Sequence, residues 1–235
     1  MVSRVKIIAR IRTDFKEKFG IPRQSGIAPE LVGRIVFEKP YRSPDALRGI
    51  EGYSHLWLIW QFSECVRDAW SPTVRPPRLG GNRHVGVFAT RSPFRPNPIG
   101  LSSVRLLRVE HTEREGDVLI VGGADLLDGT PIYDIKPYLA YTDSHPDAVC
   151  GFADDVRDYR LPVHFPPELL ACVEEGKRAS LLTVLENDPR PSYRADGERE
   201  YGMTFASYEV FFKVEEGTLT VTRVSRTNDT SMLMQ

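Results

Sequence analysis

Seven arginines, Arg75, Arg78, Arg83, Arg91, Arg95, Arg105 and Arg108, fall within residues 69–109, a 41-residue stretch without Asp, Glu or Lys. With 32 acidic residues in a chain of 235, an even spread would put roughly 5–6 of them there. Arginine without lysine favours planar, bidentate contacts to phosphate or carboxylate. Six prolines between Pro72 and Pro98 stiffen the same stretch, so it reads as a prearranged site for an anion. The opposite charge follows in DLLDGTP (Asp125 to Pro131), where Asp125 and Asp128 stand three apart beside Gly129, with Asp134 beyond. Such carboxylates can accept a proton, an amine, a ribose or a cation, or can bond their own turn backbone.

Other loops repeat the theme. RSPFRPNPIG (Arg91 to Gly100) holds Arg91, Arg95 and Asn97 among three prolines. IPRQ (Ile21 to Gln24) puts Arg23 on a loop leaving the first strand, and DPRPSYR (Asp188 to Arg194) offers Tyr193 as a stacking platform. Several familiar signatures are missing. There is no GxGxxG after a strand, no Walker loop, no HExxH or HxH pair and no GxSxG. Gly80-Gly81 with Gly86 reads as a hairpin turn, and His55, His84, His111, His145 and His164 are scattered. No metal site is expected, and nothing points to covalent or hydride chemistry.

A net charge of −1 and a pI near 6.5 argue against nonspecific coating of nucleic acid. The arginine stretch carries +7 of that total, which leaves −8 elsewhere. The N-terminal residues alternate apolar with Arg and Lys instead of forming a signal-peptide core, and no apolar run is long enough to span a membrane. Cys65, Cys150 and Cys172 form no CxxC pair, so a reducing, cytoplasmic setting is expected.

The elements that must position these residues are mostly strands. Val5, Ile7, Ala9 and Ile11 alternate with basic residues, and Ile35 and Phe37 mark a second strand. HLWLIWQF (His55 to Phe62) reads as a strand buried on both faces. Val85 to Thr90, Leu101 to Glu110, Asp117 to Val121 and Thr130 to Leu139 continue the series, and Ser43 to Arg48 reads as a helical turn. The expected fold is mainly β: a closed or nearly closed β-barrel over residues 1–147, followed by a small C-terminal α+β domain over residues 148–235. In the latter, Pro166-Pro167 opens a helical stretch broken near Gly176, then Tyr208 to Val214 and Leu219 to Val221 form a hairpin, and a frayed tail begins at Arg226.

In these motifs the sequence closely resembles the TrmO family, the TsaA-like or YaeB-like tRNA methyltransferases. The matching segments are KEKFGIPRQ (Lys16 to Gln24), RGIEGYSHLWLI (Arg48 to Ile59), PTVRPPRLGGN (Pro72 to Asn82), GVFATRSPFRPNPIG (Gly86 to Gly100), DLLDGTP, DIKPYL (Asp134 to Leu139) and DPRPSYR. They recur in order over most of the chain. The resemblance implies S-adenosylmethionine as methyl donor, a non-Rossmann, single-sheet β-barrel and a homodimer with the donor near the subunit contact. The implied reaction is methylation of N6 of threonylcarbamoyladenosine at position 37, in the anticodon stem-loop of threonine tRNA.

By motif, the donor site would comprise Pro22, Arg23 and Gln24, then Arg91, Leu101 and the run Asp125, Leu126, Leu127 and Asp128. Ser63 and Glu64 fall where the family carries a His-Gln-like pair, a departure that leaves those contacts to the backbone. The candidate catalytic residues are Asp128, Asp134 and Asn97. In-line transfer needs alignment and a group, among Asp125, Asp128, Asp134 or a water, to take the N6 proton. Two rival readings are a non-catalytic RNA-binding module and a methyltransferase of this fold with another substrate.

Overall fold

The computed structural model describes residues 5–66, 69–76, 79, 83–190 and 199–227. Arg78, the Gly80-Gly81-Asn82 turn, the last four residues of DPRPSYR with Tyr193, and the tail from residue 228 lie outside the described residues.

The elements run β1 (Ala9–Arg12), β2 (Val32–Phe37), β3 (His55–Gln61), β4 (Thr73–Val74), β5 (Val85–Gly86), β6 (Ile99–Thr112), β7 (Gly116–Gly122), β8 (Pro131–Pro137), α1 (Ala140–Asp143), β9 (Val163–His164), α2 (Pro167–Ala171), α3 (Glu175–Glu186), β10 (Tyr201–Phe205), β11 (Tyr208–Glu215) and β12 (Thr218–Arg226). Six strands form a closed ring in the order β1-β2-β7-β6-β3-β8. The ring closes where Ala9 pairs with Ile132 and Arg10 with Pro131. Period-two alternation produces it: Ala9 and Ile11 point inward between Arg10 and Arg12. Ile35, Leu56, Leu58, Leu119, Val121, Leu126 and Ile132 fill the interior, all fully buried. Each such side chain contributes on the order of 1.5–3 kcal/mol of burial.

The second unit is a four-stranded sheet, β10-β11-β12-β9, with α2 and α3 nearby in sequence. Its β11–β12 turn uses Glu216 and Gly217, both at positive φ. Its core is shared. Phe15, Ala28 and Leu31, from the long β1–β2 connection, are buried with Leu181, Leu185, Met203, Phe205 and Phe212.

Three expectations are corrected. β3 alternates buried and half-buried residues and is not sealed on both faces. Its outer Trp57 packs on Tyr138 and donates a hydrogen bond to Asp143 Oδ2 (2.8 Å). Val85 to Thr90 is a strand only at Val85–Gly86 and then a 3-10 turn, because that segment pairs with β4 outside the barrel. The helical break falls at residues 172–174, before Gly176, which lies in the first turn of α3. β9 and β10 have no counterpart in the sequence reading, which recognised only the hairpin beside them.

Candidate active site

One end of the barrel opens into a cleft of about 1630 Å³, above the ~300–1,000 Å³ of a typical small-molecule pocket. Its walls come from the β1–β2 connection, the end of β3, the proline-rich loop before β6, the chain after β7 and the Cys150–Arg160 region. Of the donor-site candidates, Pro22, Arg23, Gln24, Ser63, Glu64, Arg91, Leu101, Asp125 and Leu127 line it, as does Asn97.

The loop from Arg91 to Pro98 is held by its own bonds. Thr90 Oγ1 accepts the Ser92 N–H (3.2 Å), and Arg95 Nη1 donates to the carbonyls of Thr90 (3.2 Å) and Ser92 (3.4 Å). The Phe62 N–H donates to the Pro98 carbonyl (2.9 Å), which ties the loop to the end of β3. Arg95 therefore knits the scaffold, whereas Arg91 donates through Nη1 to Gln24 Oε1. Arg75 also borders the cleft and donates to His84 Nε2 (3.0 Å). Arg105 and Arg108 lie on exposed positions of β6, away from the cleft. Glu64 accepts Lys18 at both its carbonyl (2.8 Å) and its carboxylate (3.3 Å).

Asp125 is the most perturbed acid at the cleft. The chain leaves β7 through Gly123, whose φ of +77° is a conformation glycine tolerates. A Cβ at Gly123 would lie 3.2 Å from Gly26 backbone atoms, so the two backbones approach closely there and bring Ser25 beside Asp125. From β6, the Ser102 hydroxyl donates to Asp125 Oδ1 (2.6 Å), and from β3 the Trp60 indole N–H donates to Ser102 Oγ (2.9 Å). Burial pushes the Asp125 carboxyl up to about 6. The Ser102 hydroxyl, backbone N–H groups of Asp125 and Ser25, and the Arg91 charge oppose that rise.

The rest of the 125–128 run divides. In the extended chain successive side chains alternate in direction. Asp125 and Leu127 face the cleft, while Leu126 is fully buried in the barrel core. Asp128 does not line the cleft. Its carboxylate accepts the Thr13 N–H (3.0 Å) and Lys16 Nζ (2.7 Å), which joins the β1–β2 connection to this run. Asp134 does not reach the cleft either. It lies on β8 opposite Ile59, accepts its neighbour's Ile135 N–H (3.0 Å) and pairs with Lys136 (3.0 Å). Asp128→Ala is expected to cost about 1–2 kcal/mol of stability through the lost hydrogen bond from the Thr13 N–H and the lost ion pair with Lys16. At a temperature where the variant is folded its kcat should stay within a few-fold; a far larger loss in initial rates would restore Asp128 to the chemistry.

The sequence reading missed Trp60 and Ser102. One signal existed: Ser102 holds an inward position on β6 between Gly100 and Val104, a polar group where the alternation calls for an apolar one.

A closed, mainly-β barrel whose end opens into a large cleft lined by both Asp125 and Arg91 defines a non-Rossmann ligand-binding scaffold. Residues 10–144 match the tRNA-methyltransferase O N-terminal domain, and residues 158–227 the TrmO C-terminal domain. The chain belongs to the TrmO family. It is 46% identical over 215 residues to the tRNA (adenine(37)-N6)-methyltransferase of Escherichia coli strain K12, covering 88% of this chain and 89% of that one. It is 41% identical over 218 residues to a putative S-adenosylmethionine-dependent methyltransferase of Pseudomonas aeruginosa, covering 89% and 92%. The crystal structure of TrmO from Pseudomonas aeruginosa superimposes with a TM-score of 0.76 at 33% identity, covering 96% of this chain and 99% of that one.

Proposed function

We propose that this protein is an S-adenosylmethionine-dependent tRNA methyltransferase acting on N6 of the adenine at position 37. The observation that carries the reading is Asp125, a half-buried carboxylate held by Ser102 at the edge of a cleft that Arg91 also lines. The cleft fits the donor by its chemistry. Arg91 suits a carboxylate, Asp125 a cationic centre, and Ile21, Ile99, Leu101 and Leu127 offer apolar surface for an aromatic ring. When bound, the donor supplies a methyl group activated on sulfonium. The residues around it align the acceptor and keep water away, and alignment alone is worth several kcal/mol.

The acceptor nitrogen is a weak nucleophile because its lone pair is delocalised into the adenine ring. A base that removes its proton during attack helps. Of the three aspartates raised by the sequence, Asp125 borders the cleft, so we assign it that role. Ser102 positions its carboxylate through Oδ1. Asn97, also on the cleft, orients the acceptor. Leu127 contributes apolar surface, and Leu126 and Asp128 act through the backbone and the loop they tie down.

The finer substrate reading is threonylcarbamoyladenosine in threonine tRNA. Arg75, on the cleft wall, is the arginine we assign to the threonyl carboxylate; recognition of that group would reject the unmodified base strongly. The exposed apolar residues Trp70, Phe88, Phe94, Ile99 and Leu101 support a homodimer whose contact passes near the donor site. Residues 1–147 are taken as the catalytic unit and 148–235 as the C-terminal unit. Among the described residues no helix is long and apolar enough to cross a membrane, and a tRNA substrate favours the cytoplasm.

Labelled S-adenosylmethionine and threonine tRNA with and without the threonylcarbamoyl group test this reading. Label is expected on N6 of nucleoside 37 in the modified pool alone. Label on neither pool refutes the function, and equal labelling of both removes carboxylate recognition.

A further inference from the structure

The β1–β2 connection that carries Pro22, Arg23 and Gln24 to the cleft is held by the C-terminal unit. Phe15, Ala28 and Leu31 are buried in the C-terminal core. Ser180 Oγ on α3 donates to the Glu30 carbonyl (3.1 Å), and the Ala206 N–H donates to the Asp14 carbonyl (2.8 Å). Lys177 Nζ on α3 lies 2.6 Å from Asp14 Oδ2.

A second clamp follows the end of α3. Asp188 takes a left-handed φ of 51°, which Asp tolerates better than most residues because its short side chain bonds locally. Its carboxylate is fully employed there. Arg190 donates to it through Nε (2.8 Å), Nη2 (2.9 Å) and its own backbone N–H (3.2 Å), and the Tyr159 hydroxyl through a 3.2 Å bond. Both side chains of the Asp188–Arg190 pair are only 8% exposed. An arginine meant for RNA phosphate would be turned outward, so this part of DPRPSYR faces the protein. The Arg190 carbonyl then accepts Arg23 Nη2 (3.0 Å). The next residue, Gln24, receives Arg91 Nη1.

We propose that Asp188 and Arg190 are positioning residues for methyl-donor binding: their buried pair fixes the Arg190 carbonyl that anchors Arg23, and through it the Pro22–Gln24 segment at the cleft. Donor affinity thus depends on a pair that borders the donor loop from the C-terminal unit. The inference rests on the reading that Pro22–Gln24 contacts the donor.

The test uses the full chain, with S-adenosylmethionine binding measured by calorimetry. Arg190→Lys keeps the charge but loses the bidentate fork. It is expected to weaken donor binding about tenfold, and Tyr159→Phe about two- to threefold. In both, kcat at saturating donor and tRNA affinity without donor should stay within about twofold, because neither residue is placed at the reacting atoms. Gln24→Ala serves as the direct probe of the donor loop. Normal donor affinity in folded Arg190→Lys and in Tyr159→Phe, with weakened binding in Gln24→Ala, overturns the coupling alone. Normal affinity in Gln24→Ala overturns the donor-loop reading beneath it. If Arg190→Lys does not fold, Tyr159→Phe decides: a weakened donor Kd at an unchanged melting temperature supports the coupling, and an unchanged Kd overturns it.

Discussion

Asp125→Asn is expected to lower kcat by about 10²–10⁴-fold, the range for loss of a general base, while making the protein more stable at neutral pH. Asn can still accept the Ser102 hydroxyl, so the change removes the proton-accepting oxygen more than the local packing. The stability gain follows from the same burial that tunes the base. The carboxyl titrates near 6 in the folded chain against 3.8 as its ordinary value, so the native state holds the proton more tightly than the unfolded one. Its contribution to stability is fully present below about 4. It is lost as pH climbs from about 4 to about 6, and above that the folded chain carries a charge it would rather not bury. The loss amounts to about 1–3 kcal/mol. Asn has no such slope, so denaturant unfolding at pH 4.5 and pH 7.5 should separate the two chains more widely at the higher pH.

The pH profile gives a second reading of the same residue. The wild-type rate should rise through a pKa near 6 and level off above it. Arg91→Ala removes a positive charge that lowers this pKa, so the rising limb should move to higher pH and the donor should bind at least about tenfold more weakly. A full rate for Asp125→Asn, or a limb that ignores Arg91, would remove Asp125 from proton transfer.

Gly100→Ala is expected to be the most damaging single-methyl change in the barrel. Gly100 pairs with Trp60 across β6 and β3. A Cβ there would lie 2.3 Å from indole Cε2 and 2.4 Å from Cζ2, well inside contact distance. The indole cannot yield easily. It is 6% exposed, its centroid is 4.3 Å from that of Phe62, and its N–H is committed to Ser102. Overpacking of this kind costs about 1–3 kcal/mol. If the indole moves out, Ser102 loses the donor that orients it, and Asp125 loses its fixed direction. A displacement near 1 Å at such a site can cost about 10²-fold in rate. Chemical denaturation, tryptophan emission and initial rates read these effects together. Gly52→Ala, at a glycine with open space around its missing Cβ, is the control expected to be silent. Native emission and rate in Gly100→Ala would show that the strands can spread, and would end the argument for a rigid Trp60–Ser102–Asp125 chain.

Local patterns carried much of the barrel. Arg10 and Arg12 against Ala9 and Ile11 declare a half-buried strand whatever surrounds them, because the pleat alternates by backbone geometry alone. Prolines 93, 96 and 98 likewise declare a loop that cannot pair. The same logic failed for Val85 to Thr90, where β-favouring residues found no barrel partner, and for Tyr201–Phe205, a strand formed against β11 that the sequence reading did not single out. Charge partition was legible too. The division of labour among the charges was not: Arg95 knits its own loop, Arg190 turns inward to Asp188, and Arg91 crosses to Gln24.

Strand periodicity, the separation of arginines from aspartates along the chain, the rigid proline loop and the family these motifs spell out are all legible without the fold. All are properties of residue type and short spacing. Which aspartate meets the cleft and which ties a loop depends on contacts made in the folded chain. The reason is physical. Burial in the folded chain raises the proton affinity of Asp125, and a neighbour remote in sequence tempers that rise: Ser102, 23 residues away and itself held by Trp60 a further 42 before it. Asp128, three positions on, meets Thr13 and Lys16 instead and becomes a fastening.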